Sequence, residues 1–158
     1  MDVIDFVNNG VILTNLDASN KEEVFKALHE ELYKNGNVKE SFYNGLVKRE
    51  NEYPTGLALS NYNVAIPHTD AQHIINSCIA VATLKNPVQF QCMEDESISI
   101  DVSVVFMLAM GDAHGHIEML QKLVSLIQND SFLENVVNSK DKNEIVQYII
   151  QNEKLYIK

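Results

Sequence analysis

The sequence predicts an α/β fold in which a mixed central β-sheet is flanked by helices. Short segments rich in apolar and β-branched residues alternate with longer segments of helical periodicity, and this alternation is typical of a sheet covered by helices. The chain has 158 residues, of which 46% are hydrophobic, so it has enough apolar material for one compact core. We therefore expect a single domain over residues 1–158.

The first predicted elements are a strand and a helix. Residues 10–16 form a short apolar segment between polar neighbours, which favours a strand. Ser19 or Asn20 can cap the following helix, and Asn35-Gly36 is a typical helix stop. The residues predicted to share one face of this helix are Val24, Ala27, Leu28, Glu31 and Leu32.

A second helix is predicted over residues 39–52. Phe42, Leu46 and Arg49 recur at helical spacing, and Pro54 prevents the helix from continuing. Arg49 is therefore placed on the same stripe as two apolar residues.

The middle of the chain has the pattern of strands and the end has the pattern of helices. Leu57 and Leu59, then Val64 and Ile66, fit short strands separated by a turn. Longer apolar segments predict strands at 77–84, 87–92 and 98–110, and the first and last of these are too apolar for edge strands. Helices are predicted at 115–128, 131–138 and 141–151.

Charge and composition exclude several classes of function. The formal net charge is −10 and the basic residues are scattered, so nucleic acid is not an expected partner. No segment approaches the roughly 20 continuous apolar residues of a membrane helix, so no direct membrane insertion is expected. The acidic first ten residues do not resemble a signal peptide, and Cys78 and Cys92 lack metal-like spacing. We expect a cytoplasmic protein whose two cysteines are reduced thiols, with one disulfide as the alternative.

His68 is the first candidate for a reactive residue. The segment Ala65-Ile66-Pro67-His68 runs an apolar strand into a proline, which stiffens the strand end and holds the imidazole where the sheet meets solvent. A neutral imidazole can attack phosphorus with its unprotonated nitrogen. The alternative is a strand-end histidine that only hydrogen-bonds a loop.

His116 is the second candidate among the five histidines. It lies in the first turn of a predicted helix, on the face that carries Met119 and Leu123, and the helix start can attract an anion. The alternative is a half-buried histidine satisfied by the backbone. His114 is expected to point elsewhere, and His29 is expected to be an ordinary helix residue.

Arg49 is the third candidate. A guanidinium on a core-facing stripe is costly unless it is paired, and a phosphate would be a bidentate partner. The alternative is an ion pair with Glu50 or Glu52 at the end of the helix.

Several segments, taken in order, resemble the fructose-mannitol type of enzyme IIA of the bacterial sugar phosphotransferase system, and are most similar to its galactitol branch. The similarity extends over essentially the whole chain. The segments that carry it are Val47-Lys48-Arg49-Glu50, Tyr53-Pro54-Thr55-Gly56-Leu57, Val64-Ala65-Ile66-Pro67-His68 and His116-Ile117-Glu118-Met119-Leu120.

The resemblance implies the mannitol/fructose-type enzyme IIA fold and a phosphotransferase component that works through a phosphohistidine. It implies that His68 accepts a phosphoryl group from the carrier protein HPr and passes it to a cysteine of a cognate enzyme IIB, and through it serves the membrane enzyme IIC. The resemblance also implies that His116 and Arg49 stabilise the phosphate. No cofactor or metal is implied, and we expect an apolar, slightly concave surface around His68 for partner docking.

Two rival functions also fit these residues. One is a regulatory module that uses the same phosphohistidine as a signal. The other is a metal-dependent hydrolase, because His68, Asp70, His73, His114 and His116 offer nitrogen and oxygen ligands.

Overall fold

The computed structural model describes residues 2–156, in which a five-stranded mixed sheet is accompanied by six α-helices. The elements in chain order are α1 (Val3–Asn9), β1 (Ile12–Leu16), α2 (Lys21–Lys34), α3 (Phe42–Glu52), β2 (Gly56–Leu57), β3 (Asn63–Ala65), a 3₁₀ helix (Ala71–His73), β4 (Cys78–Gln91), β5 (Ser99–Ala109), α4 (Ala113–Ile127), α5 (Asp130–Val137) and α6 (Lys142–Tyr156). The predicted mixed sheet with flanking helices is confirmed.

The strands lie in the order β1-β4-β5-β3-β2. β1 is parallel to β4 and β3 is parallel to β5, whereas β4 pairs with β5, and β2 with β3, in the antiparallel direction. The carboxyl ends of the neighbouring strands β3 and β5 therefore meet at the same end of the sheet. This is the usual position of a functional crevice in an α/β sheet.

Helices cover both faces of the sheet. Along β5, Phe106 and Leu108 pack on the face covered by α1, α4, α5 and α6, whereas Val105 and Met107 pack on the face covered by α2 and α3. Because both sides of β4 and β5 are buried, their sequences are nearly continuous apolar runs, as expected for interior strands.

The predicted ends of α2 are confirmed, but its buried face differs from the prediction. The side chain of Asn20 accepts a hydrogen bond from the Glu23 amide at 2.9 Å, and Gly36 adopts a positive φ of 83° beyond the helix end. Phe25 is fully buried, whereas the predicted face residue Glu31 is exposed. The sheet and α3 cover a wider part of α2 than the predicted stripe.

The predicted strands at 77–84 and 87–92 are wrong as separate elements, because β4 is one strand. β4 pairs with β5 along its length, with a register shift between Thr83 and Val88. Pro87 lies within that shift, where it cannot donate to the ladder. The irregularity that suggested a break is a local interruption of a long hairpin.

Helix α1 was not predicted from the sequence. It has only seven residues, too few to show a clear periodicity, and it depends on a distant contact. The carboxylate of Glu153 in α6 accepts hydrogen bonds from the Val3 and Ile4 amides. The three C-terminal helices are confirmed, and α6 extends beyond the predicted residue 151.

Two expectations about composition can also be compared with the structure. Cys78 and Cys92 are free and buried, so the disulfide alternative is wrong. Within residues 2–156, none of the helices combines the length and the apolar character required to cross a bilayer.

Candidate functional site

His68 lies just beyond the carboxyl end of β3. Its neighbour Pro67 is buried, and the Pro67 carbonyl accepts a hydrogen bond from the Leu108 amide of β5 at 3.0 Å. This bond extends the pairing of β3 with β5 past the end of β3. The Ile66 amide before the proline donates to the Thr55 carbonyl, so the backbone is hydrogen-bonded at Ile66 and at Pro67. The half-buried His68 ring is therefore attached to a rigid segment of backbone.

A backbone carbonyl sets the protonation pattern of the His68 ring. Nδ1 of His68 is 2.9 Å from the carbonyl oxygen of Ile66. Because a carbonyl can only accept, Nδ1 carries the proton and, in the neutral ring, Nε2 keeps its lone pair.

The surroundings of His68 also favour the neutral ring. Burial lowers the pKa of His68 below its ordinary value, and the positive charge of Arg49 lowers it further, while the hydrogen bond to Ile66 and the charge of Asp70 act in the opposite direction. A neutral ring with a free nitrogen is the form that can act as a nucleophile.

His116 lies beside His68. It is in the first turn of α4, and the centroids of the two imidazole rings are 4.6 Å apart with an interplanar angle of 52°. Burial lowers the pKa of His116, and the neighbouring His68 and Arg49 lower it further. His116 lies on the interior-facing side of α4, as predicted, and this position places its ring directly against the His68 ring.

Arg49 reaches the same place from the C-terminal half of α3, but its neighbours are not those proposed from the sequence. Its Nη1 atom is 3.9 Å from Oδ1 of Asp70, and its guanidinium carbon is 4.8 Å from the centre of the Tyr53 ring. The alternative ion pair with Glu50 or Glu52 is wrong for the described residues. Glu50 turns inward and accepts hydrogen bonds from Thr55 instead.

Arg49 also retains unused hydrogen-bonding capacity. Its Nε atom is buried and has no hydrogen-bond partner among the described residues. A distance of 3.9 Å to Asp70 is a weak ion pair, and both side chains are partly exposed. Because this ion pair is weak and Arg49 lines the cleft, its guanidinium is available to an anion that enters the site.

Arg49, His68, Asp70 and His116 line an open cleft of about 220 Å³. The expected concave shape is confirmed, and more of the exposed lining is apolar than polar, as expected. Polar and charged side chains share the lining with Met110, Ala113 and Ile117, because the turns that follow β3 and β5 carry Asp70 and Asp112. Asp112 caps α4 by accepting from the Gly115 amide, so part of the helix terminus already has an anionic partner.

Two of the side chains considered as metal ligands, His73 and His114, do not line the cleft. His114 is almost fully exposed, 4.0 Å from Glu118, and Nδ1 of His73 is 2.8 Å from the Ser41 hydroxyl. Among residues 2–156, no group of three histidine, cysteine, aspartate or glutamate side chains is arranged to hold a metal ion.

The sequence reasoning missed two residues of the site. Tyr53 contacts the Arg49 guanidinium, and its position directly after the helix that carries Arg49 was the available signal. Asp112 is an N-cap residue of a type that commonly precedes a helix, and its distance of four residues from His116 places both at the same helix start.

Fold and cleft together define a class of α/β proteins with a histidine pair at the end of the sheet. The family model described as "Phosphoenolpyruvate-dependent sugar phosphotransferase system, EIIA 2" matches residues 5–152. The chain belongs to this family of phosphotransferase components, whose place is in phosphoryl relay for sugar uptake.

Curated relatives show the same relationship. The chain is 26% identical over 151 residues to the galactitol-specific EIIA component of Escherichia coli K12, covering 94% of this chain and 97% of that protein. It is 24% identical over 158 residues to the fructose-specific EIIABC component of Bacillus subtilis, covering 98% of this chain and 24% of that longer protein.

Solved structures share the fold. A Streptococcus mutans protein assigned as a PTS IIA superposes with a TM-score of 0.81 at 22% identity, covering 98% of this chain and 96% of that one. Enzyme IIA for mannitol from Escherichia coli, in complex with phosphorylated enzyme IIB, gives a TM-score of 0.73 at 20% identity and covers 90% and 95%. Nitrogen regulatory protein IIA-Ntr from Neisseria meningitidis gives 0.72 at 22% identity and covers 93% and 98%.

Proposed function

We propose that the chain acts as one phosphoryl-carrier domain over residues 1–158, in which His68 takes a phosphoryl group from phospho-HPr and passes it to a cysteine of a cognate enzyme IIB. The observation that carries this proposal is the 2.9 Å contact between Nδ1 of His68 and the Ile66 carbonyl. This contact leaves Nε2 as the free nitrogen of a ring that lines an open cleft.

The first transfer forms a bond between phosphorus and Nε2 of His68 and breaks the bond between phosphorus and the donor histidine nitrogen. The donor phosphohistidine carries a proton on its other ring nitrogen, so its imidazole leaves as the neutral ring. The phosphorylated His68 ring then holds the positive charge until the second transfer returns it to the neutral form. In the second transfer, a cysteine thiolate forms the sulfur–phosphorus bond as the bond to Nε2 breaks. Throughout, Nδ1 keeps its proton, so the hydrogen bond to Ile66 is maintained.

His116 and Arg49 have the role of stabilising the transferred group. In-line transfer between two proteins depends on positioning and on stabilisation of the phosphoryl charge. The guanidinium of Arg49 supplies positive charge at the cleft, and His116 stands against the His68 ring. When phosphate arrives, it competes with Asp70 for the guanidinium.

The transported substrate is proposed to be a sugar or sugar alcohol, with galactitol favoured. The galactitol-specific relative matches the chain over nearly the full length of both proteins. On this proposal the protein works in the cytoplasm, and enzyme IIB connects it to the membrane enzyme IIC.

The second candidate is a regulatory phosphohistidine module. A nitrogen regulatory protein shares this fold with enzyme IIA for mannitol, so the fold alone does not separate a regulatory protein from a transport component. The two functions differ in the second transfer, because only a transport component delivers its phosphoryl group to enzyme IIB.

Incubation with enzyme I, HPr and phosphoenolpyruvate, followed by intact-mass measurement and peptide mapping, tests the proposal. We expect one acid-labile phosphoryl group on His68, and none on His68→Ala. Full labelling of His68→Ala would contradict the assignment. Addition of the cognate enzyme IIB should then discharge the label onto its cysteine, and a label that stays on this protein would favour the regulatory function.

A further inference from the structure

A backbone pair next to His68 departs from the regular antiparallel pattern. β2 and β3 pair with Gly56 opposite Ala65 and Leu57 opposite Val64, so Thr55 stands opposite Ile66. The Ile66 amide donates to the Thr55 carbonyl at 3.2 Å. Two residues in such a pair normally exchange both bonds, so the Thr55 amide would be expected to donate to the Ile66 carbonyl.

The Thr55 amide instead donates to a side chain of α3. Its partner is Oε2 of Glu50 at 2.8 Å, and Oε1 of the same carboxylate accepts the Thr55 hydroxyl at 2.8 Å. Glu50 and Thr55 are both buried, with 3% and 1% of their surface exposed. The carboxylate therefore holds both the amide and the hydroxyl of Thr55.

The Ile66 carbonyl that the Thr55 amide leaves free is the one that accepts Nδ1–H of His68. The three residues thus form a connected series: Glu50 takes the Thr55 amide, Thr55 holds the Ile66 amide, and Ile66 holds the imidazole. A regular Thr55–Ile66 pair would add a second donor to the oxygen that sets the tautomer of His68. The two donors would then share its lone pairs and weaken the bond to the ring.

We propose that Glu50 is a positioning residue, which captures the Thr55 amide and so reserves the Ile66 carbonyl for the His68 ring. Its effect on phosphoryl transfer rests on the proposed function of His68, whereas its effect on the ring tautomer does not.

The energetics of Glu50 agree with this role. Burial raises the pKa of Glu50, while the two Thr55 bonds and the charge of Lys21 lower it. A buried carboxylate is costly even when it is bonded, and a regular backbone pair would satisfy Thr55 without it. The two hydrogen bonds from Thr55 offset part of the cost of burying Glu50, and the bond from the Thr55 amide is the one that leaves the Ile66 oxygen free.

The test compares three substitutions of Glu50. Glu50→Leu removes the acceptor, Glu50→Asp shortens the side chain by one methylene and is the milder change for folding, and Glu50→Gln keeps an acceptor for the Thr55 amide. Glu153→Leu is the matched control, because Glu153 is also a buried glutamate that accepts backbone amides, at the α1–α6 contact.

Nitrogen-15 spectra of the imidazole groups, recorded on the full, unphosphorylated chain at a pH where the rings are neutral, report the tautomer of His68. We expect protonation at Nδ1 in the wild type and in Glu50→Gln and Glu153→Leu, and a shift toward protonation at Nε2 in Glu50→Leu and Glu50→Asp. Labelling by phospho-HPr should slow roughly five- to tenfold in Glu50→Leu and Glu50→Asp, and its rate should stay within about twofold of the wild type in Glu50→Gln.

Three outcomes would overturn the inference: a wild-type ring protonated at Nε2, a wild-type tautomer in both Glu50→Leu and Glu50→Asp, or an equal shift in Glu153→Leu. A tautomer shift in a protein that phospho-HPr does not label would leave the positioning role intact and contradict the proposed function instead.

Discussion

Two half-buried histidines of this protein, His29 and His68, share an electrostatic property but differ in their surroundings. Burial lowers the pKa of both rings. His29 lies between α2 and α3 among the rings of Tyr33, Phe42 and Tyr43, with centroid distances of 5.8 to 6.0 Å, and its buried Nδ1 has no hydrogen-bond partner among the described residues. His68 has a carbonyl partner for Nδ1 and an open cleft beside it.

The difference shows that a lowered pKa does not by itself identify a reactive histidine. Both rings tend to be neutral near pH 7, but only His68 combines a fixed tautomer with access for a donor and a nearby guanidinium. Function therefore follows from the arrangement around the ring, and each of the following experiments tests one part of that arrangement.

The largest contrast is expected between substitutions of the two histidines. His29→Phe should fit among the aromatic neighbours and retain phosphoryl labelling by phospho-HPr at the wild-type level, whereas His68→Ala should retain none. Intact-mass measurement checks both. Loss of labelling in a folded His29→Phe protein would contradict the distinction between the two rings.

Arg49→Ala should slow labelling by roughly 100-fold, because it removes the positive charge that faces the phosphoryl group. Arg49→Lys should lose about tenfold, since an ammonium retains the charge without the planar donor pair. Quench-flow measurement of the transfer rate checks the order. Lys34→Ala, which removes an exposed cation at the end of α2, is the control for net charge, and an equal loss there would contradict a local role of Arg49.

His116→Ala should slow transfer by about tenfold without abolishing it, because the ring contacts His68 but is not the acceptor. The same rate measurement applies. A second phosphoryl group that disappears in His116→Ala would show that both histidines accept phosphate.

The smallest expected effect is on stability against pH. The pKa of His29, His68 and His116 is lowered in the folded state, so on acidification the unfolded chain takes up protons at a higher pH than the folded chain does. The contribution of each histidine to stability is therefore full above about pH 6.5 and is lost as the pH falls through the lowered pKa. Urea unfolding between pH 7.5 and pH 5 should show this loss. His29→Phe should reduce it without changing phosphoryl labelling, and an unchanged pH dependence would contradict the burial of His29.

Much of the architecture could be predicted from local pattern. Interior strands β4 and β5 are apolar along their length, and α2 and α3 end at Asn35-Gly36 and before Pro54, because these signals act over a few residues. Helix α1 and the continuity of β4 could not be predicted, because one depends on Glu153 and the other on pairing with β5 across a shift in register.

For the candidate site, the sequence by itself determined the reactive types: a histidine after a proline at a strand end, a second histidine at a helix start and an arginine on an apolar helix stripe. Only the tertiary structure decided that the two rings stand 4.6 Å apart, that Arg49 faces Asp70 rather than Glu50, and that Glu50 takes the Thr55 amide. Residue type and short-range spacing follow from the chain itself, but a contact between residues far apart in sequence depends on the register of the sheet and on how each helix packs against it.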